Sequence, residues 1–361
     1  MYPKLVIDIE KLRSNLDGVA KITKEEGNCS LMIVTKGLCA DPKMVEMVAN
    51  HSAVDFMADS RVANLASYAD IARKNGKETL LLRLPMECEI EEVIKYADVS
   101  CNSELYTMDL LNKEAGKQSK KHKVILMIDL GDLREGIFYQ DEEQIYDTIG
   151  KILAMENIIL EGIAVNLTCY GAIIPKNDNL SQLGDFADKI EAKFNIKLNT
   201  VSGGNSSSIY LIEKGQLPKR INNLRLGESF LLGNDTAYGA KLPGTTDDAL
   251  ILEAQLVEVK NKPSKPIGEV GKDAFGNVPF YEDLGVIKRG IIAIGQQDTA
   301  IDSMEPLDEK INILGASSDH TILNLSNSDV DYKVGDIIKF KLGYGGMLKT
   351  ATSPYVEKDY K

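Results

Sequence analysis

The sequence predicts an α/β protein: an N-terminal (β/α)8 barrel of the TIM type followed by a mostly antiparallel β domain. Three observations lead there. Short apolar runs alternate with amphipathic stretches over roughly the first 230 residues, as in a parallel barrel. Eight of these runs are near-continuously apolar, rich in β-branched residues and followed by polar or glycine punctuation, the mark of strands buried on both faces. From about Asn234 the rhythm stops, and strands succeed one another with only turns between them. The expected division is 1–233 for the barrel and 234–361 for the β domain, with the first strand, about 4–10, able to join the latter.

After the first apolar segment, the eight runs are SLMIVT, AVDFMA, TLLLRL, ADVSC, KVILMIDL, IILEGIAV, LNTVSG and NNLRLG. The clearest intervening helix is SRVANLASYADIARKNG, with Asp59 or Ser60 as N-cap and Gly76 just past its end. DEEQIYDTIGKILAMEN and DNLSQLGDFADKIEAKFN have the same spacing. Asp41 and Pro42 supply an N-cap and a first helical residue after the first barrel strand. A doubly wound open sheet is the competing architecture. The later runs, LILEAQLVEVKNKPSKP, LGVIKRGIIAIG, KINILGASSD, HTILNLS and GDIIKFKLG, carry no long helix between them.

Composition narrows the function classes. Among 361 residues, 42 Lys plus Arg against 54 Asp plus Glu leave a formal net charge of -12, which argues against nucleic acid or an anionic membrane as partner. The N-terminus lacks the basic and apolar regions of a signal peptide, and no apolar run approaches membrane-spanning length. Five scattered cysteines without a C-x-x-C pair read as reduced cytoplasmic thiols. With three histidines, His122 among them in a KKHK run expected on a solvated face, no metal centre is expected.

In a barrel the chemistry gathers at the C-terminal ends of the strands. The first barrel strand delivers Lys36 to a turn at Gly37. Such a lysine can serve as an amine nucleophile, or it can simply snorkel to solvent. Strand five ends in DLGDLREG, with Asp129 and Arg134, and strand six in VNLTCYG, with Asn166, Cys169 and Tyr170. Strand seven runs into SGGNSSS, where Asn205 can cap a following helix and Ser206 and Ser207 join free amides in an anion cradle. Strand eight ends in LRLGESFLLG, with Arg225 and a glycine turn at Gly227. A GGNSSS loop alone is an ordinary turn. A phosphate cradle and an imine-forming amine on one barrel face together point to pyridoxal 5'-phosphate, an electron sink for α-carbanions.

With these residues in view, and with the segments LRLGESFLLGNDTAYG, KPIGEVGKDAFG, GASSDH and TSPYVEK, the chain resembles the alanine-racemase-like, fold-type III pyridoxal-phosphate enzymes along nearly its whole length. It is most similar to their ornithine racemase branch. The resemblance implies that Lys36 is the Schiff-base lysine, that Arg225 donates to the pyridine nitrogen, and that Ser206, with the turn at Gly227 and Glu228, binds the phosphate. Asn166 stands where the family has a ring-stacking histidine after strand six. Tyr344 matches a tyrosine closing over the phosphate, and Arg134 an arginine near the substrate carboxylate. Asp319 matches a β-domain aspartate close to the partner subunit's site. Where the family's second base, a tyrosine, belongs, this chain has Gln296, and Asp298 two residues on is kept.

The resemblance implies a two-base racemase of a small amino acid, ornithine first, with Lys36 on one face of the α-carbon. The second base stays open among Asp298, Asp319, His320, Tyr281 and Cys169. Alanine, lysine and serine are alternative substrates, and a non-catalytic pyridoxal-phosphate-binding protein is the alternative role. The family further implies a homodimer whose site is shared between subunits.

Overall fold

In the computed structural model, which describes residues 1–361, the chain forms two compact units. One is Leu12–Thr246; the other joins Met1–Lys11 to Asp247–Lys361. Strand β1 (Lys4–Ile7) belongs to the latter, and helix α1 (Ile9–Ala20) follows it.

The first unit is a closed barrel of eight parallel strands. These are β2 (Ser30–Val34), β3 (Phe56–Asp59), β4 (Glu78–Leu81), β5 (Val99–Asn102), β6 (His122–Asp129), β8 (Ile158–Ala164), β9 (Thr200–Ser202) and β10 (Asn223–Leu226). A two-residue strand, β7 (Ile137–Phe138), adds to β6. Pairing runs unbroken from β2 to β10 through the series, and β10 pairs again with β2, so the ring closes and the open-sheet alternative falls away. Helices α2 (Pro42–Asn50), α3 (Val62–Lys74), α4 (Ile90–Tyr96), α5 (Leu105–Lys117), α6 (Glu142–Leu153), α7 (Asn177–Phe194), α8 (Tyr210–Glu213) and α9 (Glu228–Leu232) follow the eight strands in turn.

Alternate residues point inward and pack as one core, among them Met32, Val34, Ala58, Leu80, Val99, Ile125, Met127 and Ala164. The Asp41 carboxylate caps α2 through the Lys43 and Met44 amides, with Pro42 next. Helix α3 departs from expectation: its N-cap is Arg61, and Asp59 instead accepts from the Arg61 amide at 2.9 Å. His122 departs further. It is 2% exposed, because it opens β6 and its ring meets the Ser100 hydroxyl at 2.8 Å. Lysines on both sides hid a position on the face of β6 that it shares with the buried Val124 and Leu126, opposite the inward-pointing Ile125 and Met127.

Asn234–Thr246 stay with the barrel unit. Asp235 accepts from the amides of Ala237, Tyr238 and Ala240, and Thr246 exchanges hydrogen bonds with Asn15. In the second unit, β11 (Leu250–Pro263), β12 (Val286–Ile292), β13 (Met304–Pro306), β14 (Asn312–Ala316), β15 (Thr321–Asn324) and β16 (Ile337–Leu342) pair antiparallel in the order β13-β16-β11-β12-β15-β14. Strand β1 pairs antiparallel with β11 and parallel with β17 (Glu357–Tyr360). Helix α10 (Tyr344–Thr352) is the one long helix of the carboxy-terminal stretch.

Two outcomes follow. Gly162 sits against Thr200 across the β8–β9 pair, where a Cβ would lie 1.8 Å from the Thr200 carbonyl oxygen. Gly162→Ala should therefore lower unfolding free energy by about 3 kcal/mol or more, read by urea denaturation. Burial pulls the His122 pKa down from 6.5 to about 4, so the unfolded chain binds the extra proton first as pH falls. Stability should be intact above pH 6.5 and decline by up to about 3 kcal/mol towards pH 4, a slope that His122→Gln removes.

Candidate active site

Lys36 lies two residues beyond the inward-facing Val34 and opens a single 3-10 turn, Lys36–Leu38. Gly37 is not the residue that bends the chain. Cys39 (φ 55°) and Ala40 (φ 51°) take the left-handed conformation in succession, which is costly for residues with a Cβ and is tolerated where surrounding structure enforces it. The enforcement is visible next door. Thr35 Oγ1 donates to Asp59 at 2.7 Å and lies 3.1 Å from the Tyr68 hydroxyl, both buried. The Lys36 amine itself makes no hydrogen bond and no ion pair, and its side chain is partly buried.

Arg225 stands opposite Met32 in the β10–β2 register and is 5% exposed. Its guanidinium donates to Ser202 Oγ and to the Val165 carbonyl, each at 2.7 Å, and no carboxylate pairs with it. Burial lowers its pKa, yet an arginine remains charged at any working pH. The residue after Val165 is Asn166, buried, whose Oδ1 accepts from Asn205 at 3.1 Å while its Nδ2 has no acceptor.

Asn205 is spent on local structure. Its Oδ1 accepts from the Ser207 amide at 2.8 Å, and its Nδ2 also donates to the Leu167 carbonyl at 2.9 Å. No helix begins there, contrary to expectation: α8 starts only at Tyr210, and Gly203–Ile209 is a turn. Ser206 is the hub of this turn. Its Oγ accepts from the Gly227 and Ser229 amides at 3.3 and 3.1 Å and meets Ser229 Oγ at 3.1 Å, which ties the strand-seven loop to the strand-eight turn. The Gly204, Asn205 and Ser206 amides and the buried Ser207 hydroxyl lack acceptors within the chain. This is a set of donors without acceptors, suited to an anion.

Arg134, after β6, pairs through its guanidinium with the carboxylate of Glu135, which pushes the Arg134 pKa up. Asp129 is a loop cap, accepting from the Gly131 and Leu133 amides at 2.8 and 3.1 Å. Asp132, which sequence reading passed over, accepts from the Thr168, Tyr170 and Ile173 amides and so fixes the loop after β8. Glu135 and Glu228 were likewise missed as side chains. Nothing in periodicity announces a partly buried carboxylate. Glu228 follows directly on the glycine turn at Gly227, and burial pushes its pKa up to about 7 while Lys36 pulls it back.

In the second unit, Asp298 is buried and accepts from Ser353 Oγ at 2.6 Å. Gln296 is bound into a two-loop contact, its amide donating to the Ser317 carbonyl at 2.9 Å. Asp319 is exposed and accepts from Ser317 and Ser318 at 3.2 Å, with His320 Nδ1 at 3.0 Å; the His320 bond foremost holds its carboxyl below the usual range. Tyr344 is the first residue of α10, and Tyr281 lies in the loop between β11 and β12.

Comparison with known proteins fits this layout. Residues 7–234 match the family profile described as the alanine racemase N-terminal domain. Ornithine racemase from Acetoanaerobium sticklandii is 55% identical over 359 residues, 99% of either chain. Lysine racemase from Thermotoga maritima is 33% identical over 363 residues, covering 100% of this chain and 99% of its own. The structure of alanine racemase from Bartonella henselae with covalently bound pyridoxal phosphate superposes with a TM-score of 0.73 at 16% identity over 99% of both chains, which speaks to the fold. With the barrel matched throughout and identity sustained from end to end, the chain belongs to the alanine racemase family.

Proposed function

We propose that the protein is a pyridoxal-phosphate-dependent amino-acid racemase acting on ornithine. One observation carries the reading: an unpartnered lysine amine and a buried arginine without a counter-ion occupy adjacent strands at the same barrel mouth. The level of identity to an ornithine racemase supports the substrate, and lysine is the second choice through the more distant relative.

The residues present suit the cofactor. A phosphate monoester is an acceptor, and the Gly204, Asn205 and Ser206 amides with the Ser207 hydroxyl are donors in want of one. The orphaned Asn166 Nδ2 is another donor, beside Arg225, which would face the pyridine nitrogen. Lys36, Asn166, Asn205, Ser206, Arg225, Gly227, Glu228 and Tyr344 are the residues proposed to hold it, with the barrel unit as the cofactor-binding domain. When bound, pyridoxal phosphate supplies an electron sink that acidifies the α-proton of an attached amino acid.

The chain's own residues then have separate tasks. The Lys36 amine takes the α-proton from one face while a second base delivers a proton to the opposite face, and the two exchange roles in the reverse direction. Arg134 receives the substrate carboxylate as Glu135 releases it, exchanging one carboxylate for another. For the opposite face we propose Asp319, with His320 hydrogen-bonded to it, because the Asp298 carboxylate is already engaged by Ser353. We further propose a homodimer in which this pair serves the neighbouring subunit's barrel. Free, scattered cysteines suit a reducing cytoplasm.

Lys36→Ala should abolish the visible absorbance of the loaded enzyme and lower racemisation by at least about a thousandfold. A variant racemising at the wild-type rate would sink the assignment. Asp319→Asn should slow solvent deuterium exchange at the α-carbon far more from one ornithine enantiomer than from the other. Equal slowing of both would remove Asp319 from a one-face role.

A further inference from the structure

The carboxylates at the mouth of the barrel fall into two groups. Asp59 accepts from Thr35, the Arg61 amide and Asn64. Glu89 pairs with Arg83, Asp129 and Asp132 cap backbone amides, and Glu135 pairs with Arg134. Glu228 makes no hydrogen bond and no ion pair, although it is partly buried.

Its position follows from strand register. Leu226 pairs with Ile33, and at Gly227 a Cβ would still lie 3.2 Å from Val34 Cβ, so the two strand ends remain in contact up to that residue. Glu228 comes next and opens α9, just beyond the strand beside the one that delivers Lys36. Lys36 is the charge that acts on it, yet the two do not pair. A carboxyl and an ammonium therefore share a partly dry space without closing it. In the racemase reading the Lys36 amine is committed to the cofactor, which leaves Glu228 with no cation from the chain. A partly buried carboxylate without a partner is unfavourable, and desolvation pushes its pKa up to about 7.

We propose that the Glu228 carboxylate receives the distal ammonium of a diamino-acid substrate, and so sets the preference for ornithine or lysine over uncharged side chains. The proposal rests on the racemase reading above. It gives Glu228 a side-chain role beyond the backbone donation to phosphate expected of its turn. Glu135 is the weaker candidate, because Arg134 already neutralises it.

The test uses the loaded enzyme and two substrates, ornithine and norvaline, which share a carbon chain and differ by the terminal amine. In Glu228→Gln the ratio of kcat/KM for ornithine to that for norvaline should fall by roughly tenfold to a hundredfold, mostly through KM for ornithine, since a charge-assisted bond to a partly buried group is lost. Titration of the visible cofactor band with ornithine should show the same weakening of binding without turnover. Glu228→Asp, which keeps the charge, should recover part of the ratio, and it decides the matter if the Gln variant does not load cofactor. A wild-type ratio in Glu228→Gln, or an equal fall for both substrates, would overturn the proposal; the latter would make Glu228 a partner of Lys36 chemistry. Should the wild-type enzyme racemise neither substrate, the racemase reading itself fails, a result distinct from either.

Discussion

A guanidinium buried among neutral groups is the constraint on which the barrel mouth depends. Removing a charge from water costs several kcal/mol after relaxation, and Arg225 recovers it only through good hydrogen bonds. It finds them in Ser202 Oγ and the Val165 carbonyl, so three successive barrel strands are locked in register by one side chain. Because Val165 is held, Asn166 is placed, and through Asn205 so is the turn that carries Ser206. Ser206 then binds the Gly227 and Ser229 amides and returns to the strand on which Arg225 stands. The ring of contacts is closed. What it encloses is positively charged and rich in donors, a place for an anion with a basic ring nitrogen.

The other charges of the mouth are handled by different means. Arg134 carries its own carboxylate, that of Glu135. Lys36 is left without any partner, as an amine must be if it is to bond to carbon. The strained pair Cys39 and Ala40 fixes the chain immediately after it, and the Thr35–Asp59–Tyr68 contacts fix the residue before it.

Much of this was legible in the residues. Eight apolar runs became eight strands because burial on both faces leaves no room for polar interruption, and Lys36, Arg134, Asn166, Ser206 and Arg225 could be read as strand-end residues of one rim. What escaped was whatever depends on contacts far apart in sequence. Pairing of β1 with β11 and β17 joins the two ends of the chain. The caps made by Asp132, the pairing of Glu135 and the isolation of Glu228 are properties of neighbours that no local pattern encodes. His122 misled for the same reason: its lysine neighbours spoke of solvent, while it lies on the buried outer face of β6 with Val124 and Leu126. The turn at Gly203–Ile209 carries the residues of a helix start because Asn and Ser serve both, and the choice is made by the Ser206 bonds to a distant turn.

The central claim is that the chain attaches its cofactor through the Lys36 amine. Reducing the loaded enzyme with borohydride and mapping the peptides tests it directly. The account predicts one phosphopyridoxyl label, on Lys36 in the stretch IVTKGLCAD. A label on any other lysine, or a loaded enzyme that takes up none, would contradict it.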